Sequence, residues 1–248
     1  MAIAYTADEM MTVAAARRLR NGAVCFVGIG LPSAACNLAR QTHAPDLVLI
    51  YESGTVGARP TVLPLSIGDG ELAETARTVI PLPEIFTHYL QRGRVDVGFL
   101  GAAQVDRFGN LNTTVIGDYR TPTVRLPGAG GAPEIAMHAR EVLLVLKQSA
   151  RTLVPQLDFC TTVGRPSALI TDLGILEPDP ETRELVLRAV YSGVTPKHVT
   201  DACGWPLRVA DTLTYVAPPT DTELGILRAL QERTREAHAQ RVRITLPH

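Results

Sequence analysis

Five consecutive apolar residues, Ala23-Val24-Cys25-Phe26-Val27, stop at Gly28-Ile29-Gly30 and give way to a helical stretch from Leu31 to Arg40. A short unbroken apolar run closed by glycine is the pattern of a strand buried on both faces, and a helix directly after it completes a β-α unit. The pattern returns at Asp46-Leu47-Val48-Leu49-Ile50-Tyr51, which ends at Glu52-Ser53-Gly54. Two such strands joined by a helix require a parallel crossover, and a parallel sheet needs helices to cover it.

The rest of the chain extends this framework. Thr6 and Glu9 have the spacing of a capping box for a helix over residues 7–20, with Asn21-Gly22 as its stop. After a Gly/Pro-rich excursion over 54–70, the spacing predicts an amphipathic helix from Glu84 to Leu90 and a strand from Val95 to Leu100, closed by Gly101-Ala102-Ala103-Gln104. Further strands are predicted at 142–146, 168–171 and 185–190, a helix from Thr195-Pro196 to Asp201, and a last helix from Asp221 to about His238. Residues 106–133 show little periodicity, and a loop of that length usually carries function. The later strands lack intervening helices, so antiparallel or irregular pairings are expected in the second half. The chain reads as one α/β domain over 1–248, with an open, mainly parallel sheet covered by helices on both faces.

Composition narrows the partners. The 248 residues carry 24 Lys+Arg against 25 Asp+Glu, a net charge of -1, so no global field draws the chain to nucleic acid or an anionic membrane. Only two of the basic residues are lysine, a bias that reads as compositional. Cys25, Cys36, Cys160 and Cys203 form no C-x-x-C and stand among apolar neighbours, so they read as small buried hydrophobes. The histidines have no ligand spacing, and no G-x-S-x-G elbow appears, so neither a metal site nor a serine nucleophile is expected. The first residues lack a basic segment followed by an apolar one, and no run approaches ~18 apolar residues, so a cytoplasmic chain is expected.

Three places could carry chemistry. Gly28 and Gly30 sit where a strand meets a helix, the setting for phosphate at a helix N-terminus, and Glu52 ends the second strand 22 residues later. That spacing fits a nicotinamide-binding domain, whereas Ser33 in place of the third glycine and Pro32, which lacks an N–H, argue against it. Glu52 stands where ligands bind in α/β sheets, so it is a candidate base, metal ligand, ribose anchor or nucleophile. Small neighbours at Ser53 and Gly54 permit the close approach that a covalent acyl intermediate needs. The cluster Gly128-Ala129-Gly130-Gly131-Ala132 can aim several backbone N–H groups at one point, as an oxyanion requires, or serve as a flexible loop.

Taken in order, Gly28-Ile29-Gly30-Leu31-Pro32, Tyr51-Glu52-Ser53-Gly54, Leu100-Gly101-Ala102-Ala103-Gln104-Val105 and Gly130-Gly131-Ala132 resemble, over essentially the whole chain, the B subunit of class I coenzyme A transferases. Leu65-Ser66-Ile67-Gly68-Asp69-Gly70-Glu71-Leu72 and the segment Gln104 to Asn110 are most similar to the 3-oxoadipate and glutaconate branch. The resemblance implies that Glu52 is the nucleophile, and that Gly131, with Gly130 and Ala132, belongs to the oxyanion loop. It further implies that Gly28, Gly30, Ser53, Gly54 and Gln104 line the active site. It implies a coenzyme A thioester as substrate, no permanently bound cofactor, and an A subunit as partner in an α2β2 assembly. The expected reaction moves coenzyme A from a donor such as succinyl-CoA to a dicarboxylic or 3-oxo acid, 3-oxoadipate ahead of glutaconate. Same-fold hydrolase or decarboxylase chemistry, and a non-catalytic nicotinamide- or CoA-binding module, remain as alternatives. Arg59, Arg107 and Arg125 could hold a remote carboxylate, although a solvated or structural role is the simpler reading of each.

Overall fold

The computed structural model of the chain describes residues 4–245. They fall into two compact units, one built from residues up to Ile85 together with those from Pro219 onward, the other Phe86–Pro218.

The first unit opens with α1 (Ala7–Ala16), entered through the capping box: Glu9 N–H donates to Thr6 Oγ1 (3.2 Å) and Thr6 N–H to Glu9 Oε2 (2.8 Å). The helix stops earlier than predicted because its last turn tightens, with Arg18 N–H reaching Ala15 O and Leu19 N–H reaching Ala16 O. β1 (Val24–Phe26), α2 (Leu31–Gln41) and β2 (Val48–Ile50) form the predicted β-α-β unit, and β1 and β2 pair in parallel with Phe26 opposite Ile50. β3 (Thr55–Val56) returns antiparallel beside β2. After α3 (Gly70–Glu74), β4 (Thr78–Val79) pairs antiparallel with β3, and a helical turn α4 (Leu82–Glu84) runs on into a π-turn at Ile85–Leu90.

In the second unit come β5 (Val97–Leu100), β6 (Gln104–Val105), β7 (Leu111–Asn112), β8 (Val115–Gly117) and β9 (Pro122–Arg125). They are followed by α5 (Ala132–His138), β10 (Glu141–Val145), β11 (Ala168–Ile170), β12 (Gly174–Pro178) and β13 (Leu185–Tyr191), then α6 (Pro196–Asp201) and β14 (Val209–Val216). Six strands share a sheet in the order β14-β13-β12-β11-β10-β5. β5, β10 and β11 run parallel, β12 is antiparallel to β11 and to β13, and β14 is parallel to β13. Gly98 in β5 is what lets α5 pack down, since a Cβ there would run into the Ile135 side chain.

The chain then returns to the first unit as α7 (Asp221–Thr245). Leu224, Leu227 and Leu230 are buried at helical spacing. Two ion pairs tie the helix to α1: Arg17 grips Glu223 through two hydrogen bonds (2.8 and 2.7 Å), and Arg228 grips Glu9 (2.6 and 3.0 Å).

The α/β class and its parallel framework are therefore present, with the expected antiparallel pairings in the second half. Besides the shorter α1, three expectations change. The aperiodic stretch 106–133 holds β7, which pairs back onto β6, and the hairpin β8–β9, held by side-chain amides and carboxylates rather than by an apolar period. Cys25 and Cys36 are buried as expected, whereas Cys160 is exposed and Cys203 partly so, because both lie in irregular connections away from the apolar core. The last helix continues past His238 to Thr245.

Candidate active site

Because β1 and β2 are parallel neighbours, the turns that leave their carboxyl ends lie side by side, and Val27 N–H still donates to Ile50 O (2.9 Å) at that edge. Gly30 takes φ +81 and precedes Leu31 and Pro32, which open α2 without any side-chain cap. Ser33, in the first turn of that helix, is fully buried, and its hydroxyl meets the Tyr51 hydroxyl at 3.0 Å. Burial pushes the Tyr51 phenol well above its ordinary pKa, with the Ser33 hydrogen bond opposing the shift, so the tyrosine is a neutral strut.

Tyr51 is held at its backbone as well. Its N–H donates to Thr55 O (3.0 Å) and its carbonyl accepts from Gly54 N–H (3.0 Å), which closes residues 51–54 into a tight turn. Glu52 is at the head of that turn, half-buried, directly after the anchored tyrosine. Gly54 has φ +105, and its carbonyl accepts from Ile80 N–H (3.0 Å) so closely that a Cβ would collide with the Ile80 carbonyl oxygen. Only glycine fits there. In the same turn the hydroxyls of Ser53 and Thr55 are enclosed and have no hydrogen-bond partner among the described residues. Buried hydroxyls of this kind are normally satisfied, so these two are exceptions in the turn that carries Glu52. The first unit thus gathers Gly28, Gly30, Glu52, Ser53 and Gly54 at one strand edge.

The other predicted residues belong to the second unit. Gln104 is buried and its amide is fully engaged. Nε2 donates to Asp158 Oδ2 (3.0 Å), while Oε1 accepts from Asn112 Nδ2 (2.7 Å) and Asp158 N–H (3.1 Å). Asp158 Oδ2 also accepts Gly117 N–H (2.9 Å), so the glutamine pins β6, β7 and β8 together around one carboxylate. The glycine loop is tied at its start by Gly128 N–H to Thr113 O (2.8 Å), and Gly131 becomes the N-cap of α5. Gly130 is exposed with φ +50, Gly131 is buried, and neither N–H is spent on a carbonyl among the described residues. These are free donors of the type an oxyanion needs.

Sequence reasoning missed three structural partners. Ser33 counted only as a departure from a dinucleotide fingerprint, yet its hydroxyl locks the tyrosine next to Glu52. Asn112 and Asp158 carried no signal, because their role depends on contacts with Gln104 that only the folded chain brings together. Among the described residues, no three His, Cys, Asp or Glu side chains gather as a metal site would require, and no helix is long and apolar enough to cross a membrane.

Residues 8–202 match the family model described as coenzyme A transferase. The chain is 61% identical to the B subunit of 3-oxoadipate CoA-transferase from Pseudomonas knackmussii, over 96% of this chain and 97% of that one. The crystal structure of glutaconate coenzyme A-transferase from Acidaminococcus fermentans superposes with a TM-score of 0.85 at 30% identity, covering 90% of this chain and 94% of that one. The decarboxylase AibA/AibB superposes with a TM-score of 0.84 at 31% identity, covering 92% and 95%. The likeness runs through both units, which a nicotinamide-binding domain would not show, and the chain belongs to the coenzyme A transferase family as a B subunit.

Proposed function

We propose that the chain is the B subunit of an enzyme that moves coenzyme A from an acyl-CoA, with succinyl-CoA as donor, to 3-oxoadipate, and that Glu52 is its nucleophile. The observation that carries this reading is the Glu52 turn: a half-buried glutamate directly after a buried strand, next to the anchored Tyr51, in a turn that only Gly54 can close. The 61% identity to the B subunit of a 3-oxoadipate CoA-transferase supports the acceptor.

In the proposed cycle the Glu52 carboxylate attacks the thioester carbonyl, and the C–S bond breaks to give a mixed anhydride and coenzyme A thiolate. The thiolate then attacks the glutamyl carbonyl and expels the donor acid as its carboxylate, leaving a glutamyl-CoA thioester. The acceptor carboxylate attacks that thioester, and the same two steps run in reverse. Every addition places negative charge on a carbonyl oxygen, and backbone N–H groups of the kind that Gly130 and Gly131 carry are the donors such an oxyanion needs. Ser53, Gly54, Gly28 and Gly30 shape the edge on which Glu52 stands, and Gln104 keeps β6 to β8 rigid.

Residues 1–248 would act as the single domain of the B subunit, joined to an A subunit in an α2β2 enzyme in the cytoplasm, and coenzyme A would be substrate rather than resident cofactor. A second reading, decarboxylation, draws on the AibA/AibB likeness. The test is a transfer assay on the chain co-expressed with its A subunit. Parallel lines in double-reciprocal plots of succinyl-CoA against 3-oxoadipate support transfer, whereas carbon dioxide release without a second acid supports decarboxylation.

A further inference from the structure

The opposite edge of the second unit's sheet is also furnished. β5, β10 and β11 are parallel, so residues 139–140 and 165–167 stand at the amino ends of β10 and β11. A cavity of about 350 Å³ opens there, walled by Arg140, Arg165, Pro166, Ser167, Pro178 and Arg183, with no carboxylate in its lining.

Arg140 is fixed in place by Asp96 Oδ1 (3.1 Å) and the Gly93 carbonyl (3.0 Å). The guanidinium groups of Arg165 and Arg183 take no partner among the described residues, although acids are near in sequence. Asp179 and Glu184, which flank Arg183 in its hairpin, pair instead with Arg208 (3.3 Å) and Arg107 (3.6 Å). Arg183 also has φ +63 and is the one described non-glycine residue on that side of the map. Its N–H closes the turn onto Asp179 O (2.9 Å), a position where glycine is the unstrained choice. A bulky cation kept there at a backbone cost points to a use for its side chain.

We propose that the Arg140, Arg165 and Arg183 cavity binds a phosphate-bearing anion. A lone carboxylate is satisfied by one guanidinium fork, whereas a cavity lined by three arginines, two of them unpaired among the described residues, suits the several oxygens and the double charge of a phosphate. Pro166 and Pro178 add rigid walls to the space. The phosphates of coenzyme A and a free phosphate share this chemistry. The inference stands apart from the role of Glu52.

Isothermal titration of the full chain with inorganic pyrophosphate tests it. The expected result is one saturable site per chain, weakened at least about tenfold by Arg165→Ala and by Arg183→Gly, and unchanged by Arg235→Ala on α7. Arg183→Gly relieves the backbone, so its melting temperature should not fall, and lost binding cannot then be ascribed to misfolding. Displacement of pyrophosphate by coenzyme A would identify the coenzyme's phosphates as the natural ligand, and failure to displace it would identify a free phosphate. Absence of saturable binding up to about 10 mM pyrophosphate, or equal affinity in Arg183→Gly and the parent chain, would overturn the site.

Discussion

Replacing Gly54 by alanine tests whether the Glu52 turn is built on a backbone that only glycine can adopt. At φ +105 an alanine is strained by roughly 1–3 kcal/mol. Its Cβ also points into the Ile80 carbonyl, so β3 and β4 must separate, which loses the Ile80 N–H to Gly54 O bond and adds about 1 kcal/mol. The expected destabilisation is about 2–4 kcal/mol, read by urea unfolding of the chain. Glu52 lies two residues upstream, and a shift of about 1 Å at a reacting group costs on the order of 100-fold in rate. The transfer assay on the folded complex should therefore show kcat lowered about that much. Gly22→Ala supplies the comparison, since Gly22 also has positive φ but its Cβ would meet open space. It should cost only about 1 kcal/mol and leave kcat alone. Equal stability and activity losses in the two variants would refute the argument.

Tyr51→Phe should strand the Ser33 hydroxyl in the core and destabilise the chain by about 1–2 kcal/mol, with kcat falling more than KM rises. The double variant with Ser33→Ala should recover most of the stability without recovering kcat. Glu9 is held below the ordinary carboxylate range chiefly by its hydrogen bond to Arg228. Its contribution is thus complete above the unfolded value of about 4.3 and is lost as pH falls through the lower native value. Glu9→Gln should cost about 1 kcal/mol at neutral pH and flatten the loss of stability below about pH 4.5, as followed by thermal melts across pH.

The candidate site is legible where chemistry coincides with a break in hydrophobic pattern. Glu52 is visible because an apolar run ends on it, and Gly28 and Gly30 because glycine closes the neighbouring run. The Ser33 to Tyr51 bond is not visible, since a serine and a tyrosine 18 residues apart announce nothing until β1 and β2 pair. Gln104 shows the same limit. The resemblance implies that it lines the site, and nothing in the sequence announces that its amide binds Asn112 and Asp158, the latter 54 residues away. β12 carries Gly174 and Pro178 at its ends, and β14 alternates without a buried face, so neither has the apolar run that marked the other strands. The hairpins β6–β7 and β8–β9 are hidden in the sequence because Asn112 and Asp158, rather than a period of two, hold them.

The most direct test of the central claim is peptide mass spectrometry of the chain co-expressed with its A subunit and incubated with succinyl-CoA. A coenzyme A thioester, or its hydroxamate after hydroxylamine trapping, is predicted on the peptide that contains Glu52 and should be absent from Glu52→Ala. A folded complex that binds coenzyme A and turns over substrate without any adduct at Glu52 would contradict the account.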